Sequence, residues 1–226
     1  MIRSLAGVDL LLAWRRGVVA AGAGAVAFYI LALRLAPANA AEILLPFLVF
    51  SDPAALGFFF VGGVVLADRS EGTSAAIAVS PVPAVSVFAA RILVLASLGA
   101  VGGLAVALGS GIGVDWITFL PAVVLTALLY TCFGYAVAMR ATSVNDYFAR
   151  ATGWSIPLFA PLVLFAVMPD AWFMALWPST AALVLLRGDA GPAVSAAAIV
   201  VLALGTVIVG RWALTALEAA QREGRA

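Results

Sequence analysis

The sequence predicts an all-α membrane protein that crosses the bilayer about six times, as a single domain over residues 1–226. Of its 226 residues, 65% are hydrophobic and only 10% are charged, whereas soluble domains carry about 25% charged residues. Mean hydropathy is correspondingly high, at +1.17. Because backbone polar groups in lipid need internal partners and no alternating strand pattern suggests a barrel, we expect the apolar stretches to be helices.

Six stretches approach the roughly 20 apolar residues with which a helix crosses a hydrocarbon core about 30 Å thick. The fifth is short and is compatible with an earlier start. The six stretches are residues 17–36, 44–66, 87–110, 116–139, 153–167 and 193–214. Paired glycines at 62–63 and 102–103 predict close packing between these helices.

Two further segments do not fit simple spans. Residues 1–16 place Arg3 and Asp9 between regularly spaced apolar residues, which predicts an amphipathic helix in the membrane interface. Residues 170–190 are apolar and aromatic, but the segment is short and Pro178 divides it. This composition favours an extracellular re-entrant or interfacial hairpin over a seventh span.

The arginines predict the orientation. With an even number of spans and the N-terminus inside, ten of the 12 basic residues fall on the cytoplasmic side, and only Arg34 and Arg187 fall outside. This asymmetry follows the positive-inside rule and predicts that both termini are cytoplasmic.

Several kinds of site are excluded by residues that the sequence lacks. It contains no His and no Lys, and its one cysteine is Cys132. An internal disulfide, a Cys–His metal cluster, a Ser–His or Cys–His dyad and a Walker A loop are therefore impossible. The balance of 12 basic against 11 acidic residues gives no reason to expect nucleic acid as a partner. We predict no catalytic and no metal-binding residues, and any ATP must be hydrolysed by another polypeptide.

The most informative loop covers residues 67–86. An acidic and basic cluster is followed by a Gly-Thr pair, a helix-compatible segment at 74–79 and a Ser-Pro break. Gly72 permits a turn, and Thr73 can cap the short helix. A soluble partner could bind this helix. The residues predicted to position this loop helix for a soluble partner are Asp68, Arg69, Glu71, Gly72, Thr73, Ser80, Pro81 and Arg91.

Two simpler interpretations of these charges stay open. The charges at positions 68–71 are also explained as solvated residues that set the topology. Arg91 either extends its side chain to the interface or pairs with Glu71 or Asp68.

The loop resembles that of the type-2 ABC exporter permeases, which reads approximately E-[RK]-x-x-G-T-L-x-x-L-x-x-[ST]-P before a basic residue in the third span. In this chain the first acid is Asp, and the usual leucines are Ala75, Ala76 and Val79. Residues 50–66 and 168–188 are similar to the small group of fluoroquinolone-type export permeases, with Trp-Pro where Asn-Pro is commoner. The resemblance covers nearly the whole chain.

This resemblance implies a permease subunit of an ATP-driven exporter in a bacterial-type inner membrane, moving an amphiphilic drug, antibiotic or lipid-like compound. It implies a second permease copy, most simply a homodimer, and two copies of an ABC ATP-binding subunit. ATP and Mg would bind to that partner, and this chain would hold no cofactor. Two alternatives are a haem-export permease of cytochrome biogenesis and a non-catalytic membrane scaffold or immunity protein.

Five residues are candidates for a substrate path: Asp52, Phe58, Phe59, Trp172 and Trp177. A carboxylate within a span is costly and is therefore a functional candidate. The favoured alternative is that residues 44–50 are re-entrant and that Asp52 caps a helix beginning at Pro53. Tryptophans in such positions are more often interface anchors, and phenylalanines in spans usually face lipid or pack against other helices.

Overall fold

The computed structural model describes residues 2–72 and 82–222, with side chains from residue 5 onward except those of residues 53–56. All regular structure in these ranges is helical, which confirms the predicted fold class. A π-helical segment, Leu56–Phe60, follows α3, and a 3-10 segment, Trp172–Leu176, precedes α9. The α-helices are α1 (Ile2–Arg15), α2 (Val18–Leu35), α3 (Ala38–Ala55), α4 (Val61–Ser70), α5 (Ala84–Ser110), α6 (Trp116–Arg140), α7 (Val144–Phe159), α8 (Pro161–Val167), α9 (Pro178–Arg187) and α10 (Pro192–Arg222).

Six helical runs among the described residues are long and apolar enough to cross a membrane, as predicted. They are Val18–Leu35, Ala38–Ser70, Ala84–Ser110, Trp116–Arg140, Val144–Val167 and Pro192–Arg222. The second and fifth runs begin earlier than their apolar stretches, and the last continues beyond residue 214. Hydropathy locates the lipid-facing part of a helix, whereas the helix itself continues until a turn or a Pro ends it. The chain is a multi-pass membrane protein.

The second span is irregular near its middle. Helix α3 continues through Asp52 and Pro53 to Ala55, and the π-helical segment then leads into α4. The expectation that Asp52 caps a new helix after a re-entrant segment is therefore wrong. Pro53 lacks the N–H that would bond the carbonyl of Val49, and a π-helical turn accommodates such a break without ending the helix.

Helix α6 lies at the centre of the bundle and is buried along most of its length. Helices α5 and α10 pack along it, and α3 packs against both α5 and α6. At Gly134 the backbone of α6 lies close to that of the π-helical segment, since an added Cβ would collide with the backbone oxygens of Gly57 and Phe58. Small residues at such crossings allow helices in membranes to pack backbone against backbone.

The segment before the last span is a short helical excursion. After the 3-10 turn, the hydroxyl of Thr180 donates one bifurcated hydrogen bond to the carbonyls of Met174 (2.6 Å) and Trp177 (3.2 Å), which holds α9 against the turn. The residues of α9 from Ser179 to Leu186 are buried. A helix of ten residues is about 15 Å long and cannot cross the bilayer. Within residues 2–72 and 82–222 no seventh span is found, in agreement with the prediction, and the re-entrant depth stays a prediction.

The bundle has two distinct ends. The end where α4 stops, α5 begins and α6 stops is called the loop end. The opposite end, where α9 and the start of α6 lie, is called the hairpin end. Helix α1 packs against the first turns of α5 at the loop end, where Arg91 contacts Asp9.

Candidate functional site

Asp68 is the centre of a charge network at the loop end. It lies in the last turns of α4 and is only 1% exposed. Its Oδ1 lies 2.8 Å from Nη2 of Arg16, and its Oδ2 forms an ion pair with Nη1 of Arg91. One buried carboxylate thereby joins the turn between α1 and α2 to the start of the third span.

The network extends outward from both arginines. Nη2 of Arg91 lies 3.1 Å from Oδ1 of Asp9 in α1, and Nη2 of Arg16 lies 2.7 Å from Oε2 of Glu71. Arg91 is 6% exposed, whereas the Glu71 side chain is 53% exposed. The pairing of Arg91 with Asp68, one of the two partners predicted, is confirmed. We call Asp9, Arg16, Asp68, Glu71 and Arg91 the loop-end charge network.

The charges of this network are nearly balanced, with three acids against two arginines. Burial raises the pKa of Asp9 above its ordinary value, although Arg91 beside it acts in the opposite direction. Partial burial acts to lower the pKa of Arg16, but its hydrogen bonds with Asp68 and Glu71 raise it overall. Removing one partner of a buried pair leaves the other charge uncompensated, at a cost of about 3–5 kcal/mol. The network therefore stabilises one arrangement of α1, α4 and α5.

Arg69 forms a second connection at the loop end. Its Nη1 donates to the carbonyl of Ala141 (2.6 Å) and its Nη2 to the carbonyl of Met139 (3.1 Å). These carbonyls lie at the C-terminus of α6, where the last backbone acceptors have no partner within the helix. The planar guanidinium suits two neighbouring acceptors. Arg69 thus ties the end of α4 to the end of α6.

Gly72 is the last described residue of the turn that follows the second span. Its φ of 73° is left-handed, and its N–H donates to the carbonyl of Arg69 at 3.1 Å. The turn predicted at this glycine is present, since only Gly adopts this backbone without strain. Thr73, Ser80, Pro81 and the helix-compatible segment 74–79 lie outside the described residues. The chain returns at Val82, and Pro83 precedes α5.

Asp52 lies on the inner side of α3, in a different part of the molecule. It is 2% exposed, and its Oδ2 has no hydrogen-bond partner among the described residues. It lines a cavity of about 350 Å³ between α2, α3 and α5, together with aliphatic side chains and Gly102. A charged carboxylate at such a position costs about 2.5–3.5 kcal/mol on insertion scales. The cavity contains none of the four aromatic residues predicted for the substrate path.

Those aromatic residues occupy two other places. Phe58 is fully buried, with its ring centroid 4.9 Å from Phe59 and 5.6 Å from Phe133 of α6. Trp172 and Trp177 are exposed near the hairpin end, and Trp177 Nε1 donates to the carbonyl of Leu158 at 3.3 Å. The structure therefore does not bring the five candidate path residues together.

A larger cavity opens at the hairpin end. Its volume is about 700 Å³, and three acids line it together with Arg187. Arg187 pairs with Asp170 at 3.2 Å and with Asp189. The three acids are Glu42, Asp115 and Asp189. This mouth of the bundle is acidic, in contrast to the apolar cavity at Asp52.

Two members of the charge network, Asp9 and Arg16, were missed by the sequence prediction. Positions 9, 13 and 16 lie on one face of a helix, but the sequence alone does not distinguish that face from a lipid-facing one. Ala13 on that face is buried in the structure. A charged residue in line with a buried one indicates a helix that packs against protein and not only against lipid.

Comparisons with known proteins agree with this architecture. A family model described as the Fluoroquinolones export permease protein family matches residues 2–220. Two curated proteins from Mycobacterium tuberculosis, strains CDC 1551 / Oshkosh and ATCC 25618 / H37Rv, are each named a fluoroquinolones export permease protein. Each is 28% identical over 144 residues, which is 63% of this chain and 58% of the relative. The match thus spans less than two thirds of the relatives' own length. Because the family model covers nearly all of the described helices, the chain belongs to the fluoroquinolones export permease protein family.

Proposed function

We propose that this chain is the membrane-spanning permease subunit of an ATP-driven ABC exporter for an amphiphilic drug, antibiotic or lipid-like compound. Six spans and the match of the export permease family to residues 2–220 support a transport role. The two relatives are named for fluoroquinolone export, and fluoroquinolones are the first substrates to test. Residues 1–226 act as one transmembrane permease domain.

The observation that carries this proposal is the anchoring of the loop base. Asp68 and Glu71 precede residues 73–81, Arg91 follows them, and all three belong to one charge network. Arg69 adds a connection to α6, the central helix. A force applied to the loop by a soluble partner would therefore reach three spans as a rigid-body displacement, not as local bending.

The partner in this proposal is an ABC ATP-binding subunit, present in two copies, which binds ATP and Mg. This chain contributes no catalytic residue and pairs with a second permease copy. Its N- and C-termini and the loop end face the cytoplasm of a bacterial-type inner membrane, and the acidic mouth at the hairpin end faces outward. The count of arginines on the two sides supports this orientation.

The test is to reconstitute the permease with its ABC ATPase in proteoliposomes and to follow ATP hydrolysis and ATP-dependent fluoroquinolone efflux. The test variant combines Glu71→Ala with Gly72→Pro. It removes the outer acid of the network and places a residue with φ fixed near −65° at a left-handed position. We expect efflux to fall by about tenfold, within the range for residues that couple two sites.

The matched control combines Asp170→Ala with Gly111→Pro at the hairpin end. Asp170 is also an exposed acid paired with an arginine, and Gly111 is also left-handed, with φ of 75°. We expect the control to export like the wild type. Equal loss in both variants, or a wild-type permease that binds no ABC ATPase, would contradict the proposal and favour a scaffold role.

A further inference from the structure

We infer that the cavity at Asp52 is an intramembrane binding site for the ammonium group of a compact amphiphilic cation. This inference deepens the proposed function and rests on it for its meaning in transport. Asp52 lines a cavity of about 350 Å³, and its buried Oδ2 has no hydrogen-bond partner among the described residues. Small-molecule sites have volumes of about 300–1,000 Å³ and carry a few polar groups on an apolar lining.

The position of Asp52 places this carboxylate near the middle of the bilayer. It is 14 residues from Ala38 and 18 residues from Ser70, the two ends of the second span. At 1.5 Å per residue these separations are about 21 Å and about 27 Å. Lipid offers no counter-charge at that depth, so a carboxylate there needs a cation or a proton.

The arginines of the described residues that form ion pairs do so elsewhere. Arg16 and Arg91 pair at the loop end, and Arg187 pairs at the hairpin end. Arg34 donates to the carbonyl of Gly109, which is seven residues, or about 10 Å, beyond Gly102 along α5. No ion pair of Asp52 occurs within residues 2–72 and 82–222, so the cation that complements it would come from a ligand.

The cavity also has a suitable entrance. It is lined by Val26 of α2 and by Val101 and Ala105 of α5, and Val101 is exposed on the outer apolar surface. Gly102 of α5 lies against the carboxylate of Asp52, since an added Cβ would collide with Oδ2. An apolar body could therefore enter sideways between α2 and α5 with its ammonium group directed at the carboxylate. A charge-assisted hydrogen bond in this setting is stronger than one in water.

The test uses the full-length chain in lipid nanodiscs, without an ATPase, and two probes of nearly equal shape. Tritiated 1-adamantanamine is cationic, and 1-adamantanol is its neutral counterpart. Saturable binding of the amine is measured by scintillation proximity, with empty nanodiscs subtracted. We expect the amine to compete at least about tenfold better than the alcohol, because only the amine completes a buried charge pair.

Asp52→Asn should weaken amine binding by at least about tenfold, whereas Glu42→Gln, an exposed acid on the same helix, should leave it unchanged. Ala105→Phe, which fills the cavity and keeps the carboxylate, should abolish binding of both probes. If Asp52→Asn does not fold, two results still test the site: the preference of the wild type for the amine over the alcohol, and the loss of amine binding in Ala105→Phe.

Three results would overturn the site: no saturable amine binding to the wild type, equal competition by amine and alcohol, or wild-type affinity in Asp52→Asn. The exporter proposal is tested separately. Asp52-dependent binding in a chain that recruits no ABC ATPase would refute the exporter and leave the site standing. If ATP-dependent export is observed but amine affinity is the same in the wild type and in Asp52→Asn, the site is refuted and the exporter proposal stands.

Discussion

Arg91 and Asp68, which belong to consecutive spans, form a buried ion pair that joins the two ends of the intervening loop. The loop leaves the second span after Ser70 and returns before α5, and this ion pair holds its two ends together. Because Arg91 also contacts Asp9 and Asp68 also contacts Arg16, helix α1 is joined to the same point. The three elements are therefore expected to move as one body.

Replacing Asp68 with Asn should strongly destabilise the protein. The substitution keeps the side-chain shape but leaves the buried Arg91 with one acid and Arg16 with the exposed Glu71. We expect a loss of about 3 kcal/mol, the lower end of the cost of removing one partner from a buried ion pair. Thermal unfolding of the purified protein in detergent, followed by circular dichroism, measures this change.

The control for this prediction is Asp170→Asn. Asp170 also pairs with an arginine, but its side chain is 85% exposed. Exposed pairs contribute about 0–1 kcal/mol, so the control should unfold near the wild-type temperature. Similar unfolding temperatures for the two variants would show that the buried network contributes little.

The acid Asp9 should make stability depend on pH in a defined direction. Its folded-state pKa is raised by burial, so the folded protein holds a proton that the unfolded chain releases. The stabilising contribution is present below the ordinary value of 3.8 and is lost as pH rises through the raised value. We expect the unfolding temperature of the wild type, relative to Asp9→Asn, to fall across this window. A difference that is flat with pH, or that rises, would contradict the prediction.

Arg69→Lys should weaken the junction between α4 and α6 although it keeps the charge. Arg69 reaches the carbonyls of Met139 and Ala141 with two different nitrogens, whereas Lys has one nitrogen on a flexible stem. Losing one hydrogen bond to a charged donor should cost about 1.5–3 kcal/mol. Thermal unfolding of Arg69→Lys measures the loss. Arg150→Lys, on the exposed face of α7, is the control and should leave the unfolding temperature unchanged.

The spans were predictable because a membrane helix must be apolar over its whole lipid-facing length. The ends of the spans were harder to predict. Residues 38–43 and 144–152 carry polar groups, yet they form the first turns of the second and fifth spans, where the helices reach the interface. Asp52 and Pro53 were misinterpreted as a helix start because that pair usually begins one. The helix continues because a π-helical segment begins at Leu56, three residues after Pro53. No sequence pattern identified that segment.

The charge network was predictable only in part, for a geometric reason. The loop charges stand close together in sequence, and Arg91 was predicted to pair with either Asp68 or Glu71. The choice between them depends on the rotation of α4 against α5, which a single sequence does not specify. Asp9 is 82 residues from Arg91, and its role depends on how α1 packs. The Asp52 cavity likewise depends on how α2, α3 and α5 pack together.

Glycines in the spans provide a final test of the packing, because the structure separates those that need to be small from those that do not. Gly134 on α6 faces the backbone of the π-helical segment, and an added Cβ would collide with the carbonyl oxygens of Gly57 and Phe58. Gly63 on α4 has no atom within 4 Å of an added Cβ. The two positions are alike in sequence context, since both are helical glycines among apolar residues.

Gly134→Ala should therefore destabilise the protein by about 1–3 kcal/mol, since backbone atoms cannot move aside as a flexible side chain can. Gly63→Ala should leave stability unchanged or raise it by up to about 1 kcal/mol, because Ala favours the helix and meets open space. Thermal unfolding of the two variants in the same detergent measures the difference. If both variants unfold together with the wild type, α6 does not pack against the π-helical segment at this distance. If Gly63→Ala alone is destabilised, the exposed side of α4 is instead covered by protein, as it would be if the second permease copy packed there.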